Sequence, residues 1–314
     1  MFEKVSPAHP DKLADRLSGA IVDLAYERSE GGFLHGNPRI AVEVLAGHNR
    51  VDVQIETSLG RMDLRADDID PLIRRLFGER VVGNVLIAPQ DVHLSDNQTR
   101  GLRCGDNGIF RGCPPTEEQR VLTSLVATIY ENFPYDGKYL AGGLMLNPGS
   151  EYQAEVYGVT ICQSHATEEE IDECMRQWEE ANFGEMKNYP FEASCINPLG
   201  PWTGGIDVDC GCTNRKLGSD MGDGVTGGGL MGKDLSKADV SVNIVCYLKA
   251  VASGQVVTAC CSIGDESVTF QYADGKTETE TFADIVEMAR LFILVDCNGS
   301  FEEFAKWGLI RPKE

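Results

Sequence analysis

Between Asn197 and Asp239 the chain reads NPLGPWTGGIDVDCGCTNRKLGSDMGDGVTGGGLMGKDLSKAD, too rich in glycine for one regular element. Arg215 and Lys216 precede a glycine triplet, Gly227 to Gly229, and Lys233 and Lys237 follow it. Asp207, Asp209, Asp220, Asp223, Asp234 and Asp239 are interleaved. Glycine lets backbone N–H groups approach a ligand closely, and exposed N–H groups in such loops form anion-binding concavities. Lysine and arginine contact phosphate oxygens. Carboxylates beside them can hold magnesium, which shares its shell with substrate phosphates and water. A glycine triplet alone is an ordinary surface turn. Four basic residues gathered around it in an acidic chain favour a site for a magnesium-bound polyphosphate.

The formal net charge is −21 over 314 residues. Nucleic-acid binding leans on clustered lysine and arginine, and no basic stripe of that kind occurs, so nucleic acid is not expected as a partner. A chain this acidic repels free polyanions at long range, so a nucleotide site must be locally basic, metal-assisted or both. No apolar run reaches the roughly 18 residues a membrane span needs. The first residues, MFEKVSPAHPDK, carry prolines and charges where a signal peptide needs an apolar run. Eleven cysteines fall outside C-x-x-C spacing. They read as reduced thiols of a cytoplasmic protein, most of them small core residues.

Elements must position these groups. Residues 10 to 28 form a helix, with Pro10 at its first position and Leu13, Leu17, Ile21 and Leu24 on one face. His9, Asp11, Lys12 and Asp15 stand at its N-terminus, where phosphate is attracted. Residues 39 to 46 and 50 to 57 are a hairpin turning at Gly47-His48-Asn49. Glu43 lies inside an apolar strand, facing either solvent or a cation. A helix opening at Asp70-Pro71 and a strand over 81 to 87 follow, then an irregular segment from 88 to 115. Thr116-x-x-Gln119 and Thr167-x-x-Glu170 are capping boxes. Between and after those helices lie strands at 139 to 146, 152 to 163 and 191 to 197. A third block has a helix at 238 to 252, strands at 256 to 264 and 267 to 273, a helix at 282 to 292 and a strand at 292 to 297. The order helix–strand–strand–helix–strand thus recurs three times, which implies an α+β chain of three similar units. Their expected bounds are 11 to 99, 116 to 233 and 234 to 314, with 1 to 10 and 100 to 115 as shared connections.

These pieces resemble the methionine adenosyltransferases (S-adenosylmethionine synthetases). The resemblance rests on VSPAHPDKLAD at 5 to 15, GDNG at 105 to 108, INPLG at 196 to 200, DCGCTNRK at 209 to 216 and GGGLMGKDLSKAD at 227 to 239. The motifs stand in the family's order and cover most of a chain that is shorter than the familiar enzymes, both between Gln90 and Asp106 and at the C-terminus. Pro201 stands where the family carries arginine, Asn214 replaces a glycine, and one residue is missing after the glycine triplet.

The resemblance implies three small α/β-sandwich domains about a pseudo-threefold axis. It implies synthesis of S-adenosylmethionine from ATP and L-methionine, with two magnesium ions and potassium. Asp11 and Asp239 correspond to magnesium ligands and Glu43 to the potassium ligand. Phosphate contacts and catalytic groups fall on His9, Lys138, Arg215, Lys216, Lys233 and Lys237. Substrate contacts fall on Glu56, Gln90, Asp106, Asp136, Trp202, Asp209 and Leu230, with Trp202 stacking on adenine. A homodimer with shared active sites is implied, with a tetramer left open, and the segment 9 to 15 of one chain would face 209 to 239 of another. The shortened loop at 90 to 105 would cover the site incompletely. Two other readings stand beside this one. A kinase could use the same basic stretch, and a noncatalytic relative could act as a regulatory subunit.

Overall fold

The computed structural model describes residues 1–60, 63–93, 101–146, 155–183 and 191–312, with the backbone alone at 143–146, 155–157 and 191–194. Part of the 90 to 105 loop, residues 94–100, lies outside the described residues, as do 152–154 of the strand expected at 152 to 163.

The first sheet grows from a local hairpin. Strands β2 (Ile40–Gly47) and β3 (Arg50–Thr57) pair antiparallel through a turn in which His48 and Asn49 hold φ of 50° and 65°, the doubly left-handed turn that suits a two-residue hairpin. Apolar residues alternate: Val42, Val44, Ala46, Val51, Val53 and Ile55 are buried, and Glu43, Leu45, Gln54 and Glu56 face outward. Helix α3 (Ala66–Phe77) leads to β4 (Val82–Pro89), parallel to β3. The helix was expected to open at Asp70-Pro71. It opens a turn earlier because the Asp68 carboxylate accepts the Arg65 N–H and caps it, leaving Pro71 inside. The fourth strand, β9 (Gly211–Cys212), comes from the glycine-rich stretch and pairs with β2 at Leu45 and Ala46.

The second sheet repeats the plan. Helix α4 (Glu117–Asn132) starts at the Thr116/Gln119 capping box, and β6 (Gly137–Leu146) pairs antiparallel with β7 (Glu155–Gln163). Helix α5 (Glu168–Phe183) leads to β8 (Phe191–Ile196), parallel to β7. Strand β1 (Phe2–Val5) completes that sheet beside β6.

The third block departs from the expected order. Helix α7 (Ala238–Ser253) and the strands β10 (Val257–Cys261) and β11 (Ser267–Tyr272) are present, but a further strand, β12 (Thr277–Thr281), follows. The strand expected at 292 to 297 is helical. Helix α8 runs Phe282–Asp296, because Phe282, Ile285, Val286, Ala289, Phe292 and Ile293 continue one buried face at helical spacing. The sheet is completed by β5 (Gly108–Gly112), from the segment that reads as irregular. The tail also folds into a helix, α9 (Phe301–Trp307), whose N-terminal N–H groups at Phe301 and Glu302 are accepted by Asp23. Each of the three sheets therefore takes one strand from outside the run of sequence that supplies its other three.

Two hydrophobic cores result. One joins the first and third sheets with α1 (Pro10–Arg28), α3, α7, α8 and α9, and the short helices α2 (Gly32–His35) and α6 (Leu217–Met221) pack against it through Phe33, Leu217 and Met221. The other lies between the second sheet, α4 and α5, and takes Trp307 and Ile310 from the tail. The buried Lys4 ammonium locks strand and tail together, donating to the carbonyls of Ser219, Trp307 and Ile310 at 2.8, 3.0 and 2.9 Å.

Candidate active site

The N-terminus of α1 is fastened directly to the glycine-rich stretch of its own chain. Gly211 packs against the Pro10 carbonyl so closely that a Cβ there would lie 2.0 Å from the oxygen. Asp11 Oδ1 accepts the Cys212 N–H at 2.8 Å, and Asp15 Oδ1 accepts the Asn214 N–H at 2.8 Å. Lys12, fully buried, pairs with Asp220 at 2.7 Å and with Asp15 at 3.2 Å. Segment 9 to 15 thus docks on 211 to 220 within its own chain, a contact that the expectation of 9 to 15 facing 209 to 239 of another chain did not include. The spacing of Asp11 and Asp15, one helical turn apart, is the signal that marks both as facing the same neighbour.

Seven residues singled out by sequence converge with Asp11. Arg215 Nη1 stands 3.4 Å from Asp11 and donates to the Cys210 carbonyl. Lys216 pairs with Glu3 at 3.0 Å. Lys138, on β6, pairs with Asp209 at 2.9 Å and lies 5.8 Å from the Trp202 ring centroid. Asp136 Oδ2 accepts the Gly205 N–H at 2.8 Å. Burial pushes the Asp136 carboxyl up to about 6. Burial also raises Asp11, against the opposing pull of the Cys212 N–H and Arg215. Asp209 is held low despite burial, because Lys138 and the Cys210 N–H hydrogen-bond to it.

His9 occupies the N-cap of α1, and its Nδ1 accepts the Asp11 N–H at 3.1 Å. Burial, reinforced by Lys216 and Lys138, depresses its pKa to about 3. The ring is therefore neutral near pH 7. Since Nδ1 accepts, the single ring proton belongs on Nε2. Nε2 is buried and has no protein partner, and the same holds for Asp136 Oδ1 and Trp202 Nε1. Three buried polar atoms without partners around one cluster of cations fit an oxygen-rich polar ligand, because such atoms are costly left unpaired.

A second group lies along the first sheet. Lys233 forms a bridge with Ala41 of β2, and its ammonium binds Asp239 in the first turn of α7. Lys237 is the N-cap residue of that helix. The glycine triplet folds over these groups: a Cβ on Gly228, at φ 82°, would meet the Asp239 carboxylate at 2.4 Å, and one on Gly229 would meet Asn214. Asn214 itself sits at φ 62°, where glycine is easy and asparagine tolerable. Its side chain accepts the Met231 N–H at 2.7 Å, tying the basic pair to the triplet. Glu43 is exposed and accepts a hydrogen bond from the Thr213 hydroxyl. Glu56 shares that outward face, and buried Gln90, just past β4, leaves both side-chain polar atoms unpartnered. Among the described residues no three His, Cys, Asp or Glu side chains gather into a ready-made metal site. Asp11 and Asp239 as single carboxylates suit magnesium, which completes its shell with phosphate and water.

Two expected residues stand apart. Leu230 is buried in the first core, so its side chain serves packing rather than a ligand. Asp106 is exposed in the turn before β5, where its carboxylate accepts the Asn107 N–H. Trp202 also borders an open cavity of about 580 Å³ lined by His165, Thr167, Glu170 and Pro201.

No family model matches the chain. Curated proteins do. S-adenosylmethionine synthase 2 of Rhodospirillum rubrum is 28% identical over 276 residues, covering 76% of this chain and 68% of its own. The S-adenosylmethionine synthase of Hyphomonas neptunium is 27% identical over 300 residues, covering 82% and 74%. That of Jannaschia sp. is 27% identical over 299 residues, covering 82% and 73%.

Proposed function

The chain is a member of the S-adenosylmethionine synthase family, and we propose that it joins ATP and L-methionine, then hydrolyses the tripolyphosphate. The methionine sulfur attacks the ribose C5′ and the whole tripolyphosphate departs, to be cleaved to pyrophosphate and phosphate. A thioether has no proton to remove, so the first step needs no general base. The barrier lies in the charge gathering on the leaving group, and preorganised donors lower it.

The observation that carries this reading is His9. It presents a neutral, buried Nε2–H without a partner, beside Lys138, Arg215 and Lys216. Such a donor can bind the bridging oxygen as it leaves without adding a proton to the ground state. Lys138, Arg215, Lys216, Lys233 and Lys237 hold the phosphates. Asp11 and Asp239 would hold magnesium, which when bound neutralises phosphate charge. Glu43 would hold potassium. Trp202 would stack on adenine in the company of Asp136 and Asp209, and Glu56 and Gln90 would take methionine.

We read the three sheets as three sandwich domains about a pseudo-threefold axis, built mainly on the units 11 to 99, 116 to 233 and 234 to 314, with β9, β1 and β5 each crossing from outside the unit whose sheet it completes. Two copies pair through the outer face of the first sheet. Strand register places Leu45, Val82 and Leu86 on that face with Glu43 and Glu56, and these three leucine and valine side chains are more than half exposed.

Incubation with ATP, methionine and magnesium should yield S-adenosylmethionine, pyrophosphate and phosphate in equal amounts. ADP as the main product overturns the reading in favour of a kinase.

A further inference from the structure

We propose that Cys104 and Cys261 form a redox-active dithiol, which hydrogen peroxide closes to a disulfide that tethers the Asp106 turn to the third sheet. The two sulfurs lie 3.0 Å apart, 157 residues apart in sequence. That is about 1 Å beyond the roughly 2.04 Å of a disulfide bond. Ordinary packing of two small core residues does not require their sulfurs to meet. Here the backbone holds them in place. The Cys104 N–H donates to the Asp265 carbonyl at 3.0 Å, and the Cys104 carbonyl accepts the Gly264 N–H at 2.8 Å, both in the β10–β11 connection. Cys261 ends β10 in register with Gly108. Cys104 is therefore pinned on both sides to the connection that Cys261 enters. Its thiol also donates to the Asp106 carbonyl at 2.9 Å. Cys260, next along β10, is exposed on the opposite face.

Both thiols are buried, so the oxidant must be small, and it reaches them when the 101–107 segment opens locally. One thiolate attacks a peroxide oxygen, giving a sulfenic acid and hydroxide. The partner thiol attacks that sulfur and displaces water. Two thiols and one hydrogen peroxide thus give one disulfide and two waters, with two electrons passing from sulfur to oxygen. A cross-link closing so long a loop restricts the unfolded chain.

The folded full chain is treated with hydrogen peroxide, and thiols are counted in denaturant. The expected count falls by two from the eleven present and returns with dithiothreitol. Non-reducing proteolysis should yield one disulfide-linked peptide pair containing Cys104 and Cys261, absent from Cys104→Ser and from Cys261→Ser. The thermal midpoint of the oxidised parent should rise and that of either variant stay still. Recovery of Cys104 and Cys261 as free thiols, as separate sulfinic acids or cross-linked to other cysteines overturns the proposal. The parent alone decides these outcomes should a variant misfold. A cross-link that leaves the midpoint unmoved overturns the tether.

Discussion

Asp11 accepts the backbone N–H of Cys212 across 201 residues of sequence, at 2.8 Å, and so joins the start of the first helix to the strand that leads into Arg215 and Lys216. One carboxylate oxygen is committed to this bond, and Arg215 approaches the same oxygen. Asp11→Asn keeps an acceptor for Cys212 and removes the charge. The expected outcome is an unchanged thermal midpoint, a fall in turnover of about a hundredfold, and a raised magnesium requirement. Asp239→Asn should raise the requirement too, while freeing Lys233. Magnesium titrations of activity check both, and parental dependence in the two variants would take these aspartates out of the metal shell.

The second prediction concerns pH and His9. Its folded pKa is about 3 and its ordinary value 6.5. Between those values the unfolded chain binds a proton that the native chain refuses, so stability rises with pH. The contribution is complete above pH 6.5 and is lost as pH falls towards 3. By pH 4 the loss from this one group is roughly 3 kcal/mol, at about 1.4 kcal/mol per pH unit. Asp136, raised to about 6 by burial, works in the opposite sense: its contribution is present below pH 3.8 and lost as pH rises through 6. The comparison is therefore parent against His9→Asn, which keeps a side-chain oxygen to cap α1. Denaturant midpoints without ligand should show a shallower acid decline in the variant. Parallel curves would mean that His9 titrates normally.

A third prediction separates holding from catalysis. Lys138 is aimed by Asp209 across a 2.9 Å ion pair. Lys138→Ala should lower kcat by about 10² to 10³, the range for losing one preorganised donor to a developing charge. Asp209→Asn leaves the ammonium present but less well aimed, and should cost about tenfold on the same scale. Steady-state rates at saturating ATP and methionine decide the order. Equal losses would mean that Asp209 acts by more than aiming Lys138.

What sequence makes legible here is local. The α1 helix, its cap, the hairpin at His48-Asn49 and both capping boxes follow from neighbours within a few residues. So does the clustering of charge around Gly227 to Gly229. Long-range pairing is not legible. Nothing in Gly211-Cys212 marks it as an edge strand beside Leu45, and nothing in Gly108 to Gly112 marks it as a partner of β10. The apolar run Leu291 to Val295 is rich in strand formers, yet it completes a helix because its buried face continues that of Phe282 to Ala289. Motif order indicates which residues share a site. Which of them meet within one chain depends on packing, and the docking of Asp11, Lys12 and Asp15 on 212 to 220 emerges only from that packing.

The last prediction rests on Gln90. Its backbone N–H is satisfied by the Thr57 carbonyl at 2.9 Å, but its amide is buried with neither oxygen nor nitrogen partnered. A buried amide without hydrogen bonds costs about 1 to 3 kcal/mol. A structural role would not favour keeping it, whereas a ligand carboxylate or amine would repay the amide when bound. Gln90→Leu removes the polar atoms and keeps most of the volume. The ligand-free protein should then become more stable by about that amount, read as a higher denaturant midpoint. The KM for methionine should rise about tenfold, as expected from losing roughly 1.4 kcal/mol of binding. The rate of tripolyphosphate hydrolysis, supplied without methionine, should stay within about twofold of the parent, since that step uses the phosphate-binding groups alone. A variant that is less stable and keeps the parental KM would show that Gln90 serves the fold, and methionine would then have to be sought at Glu56 without it.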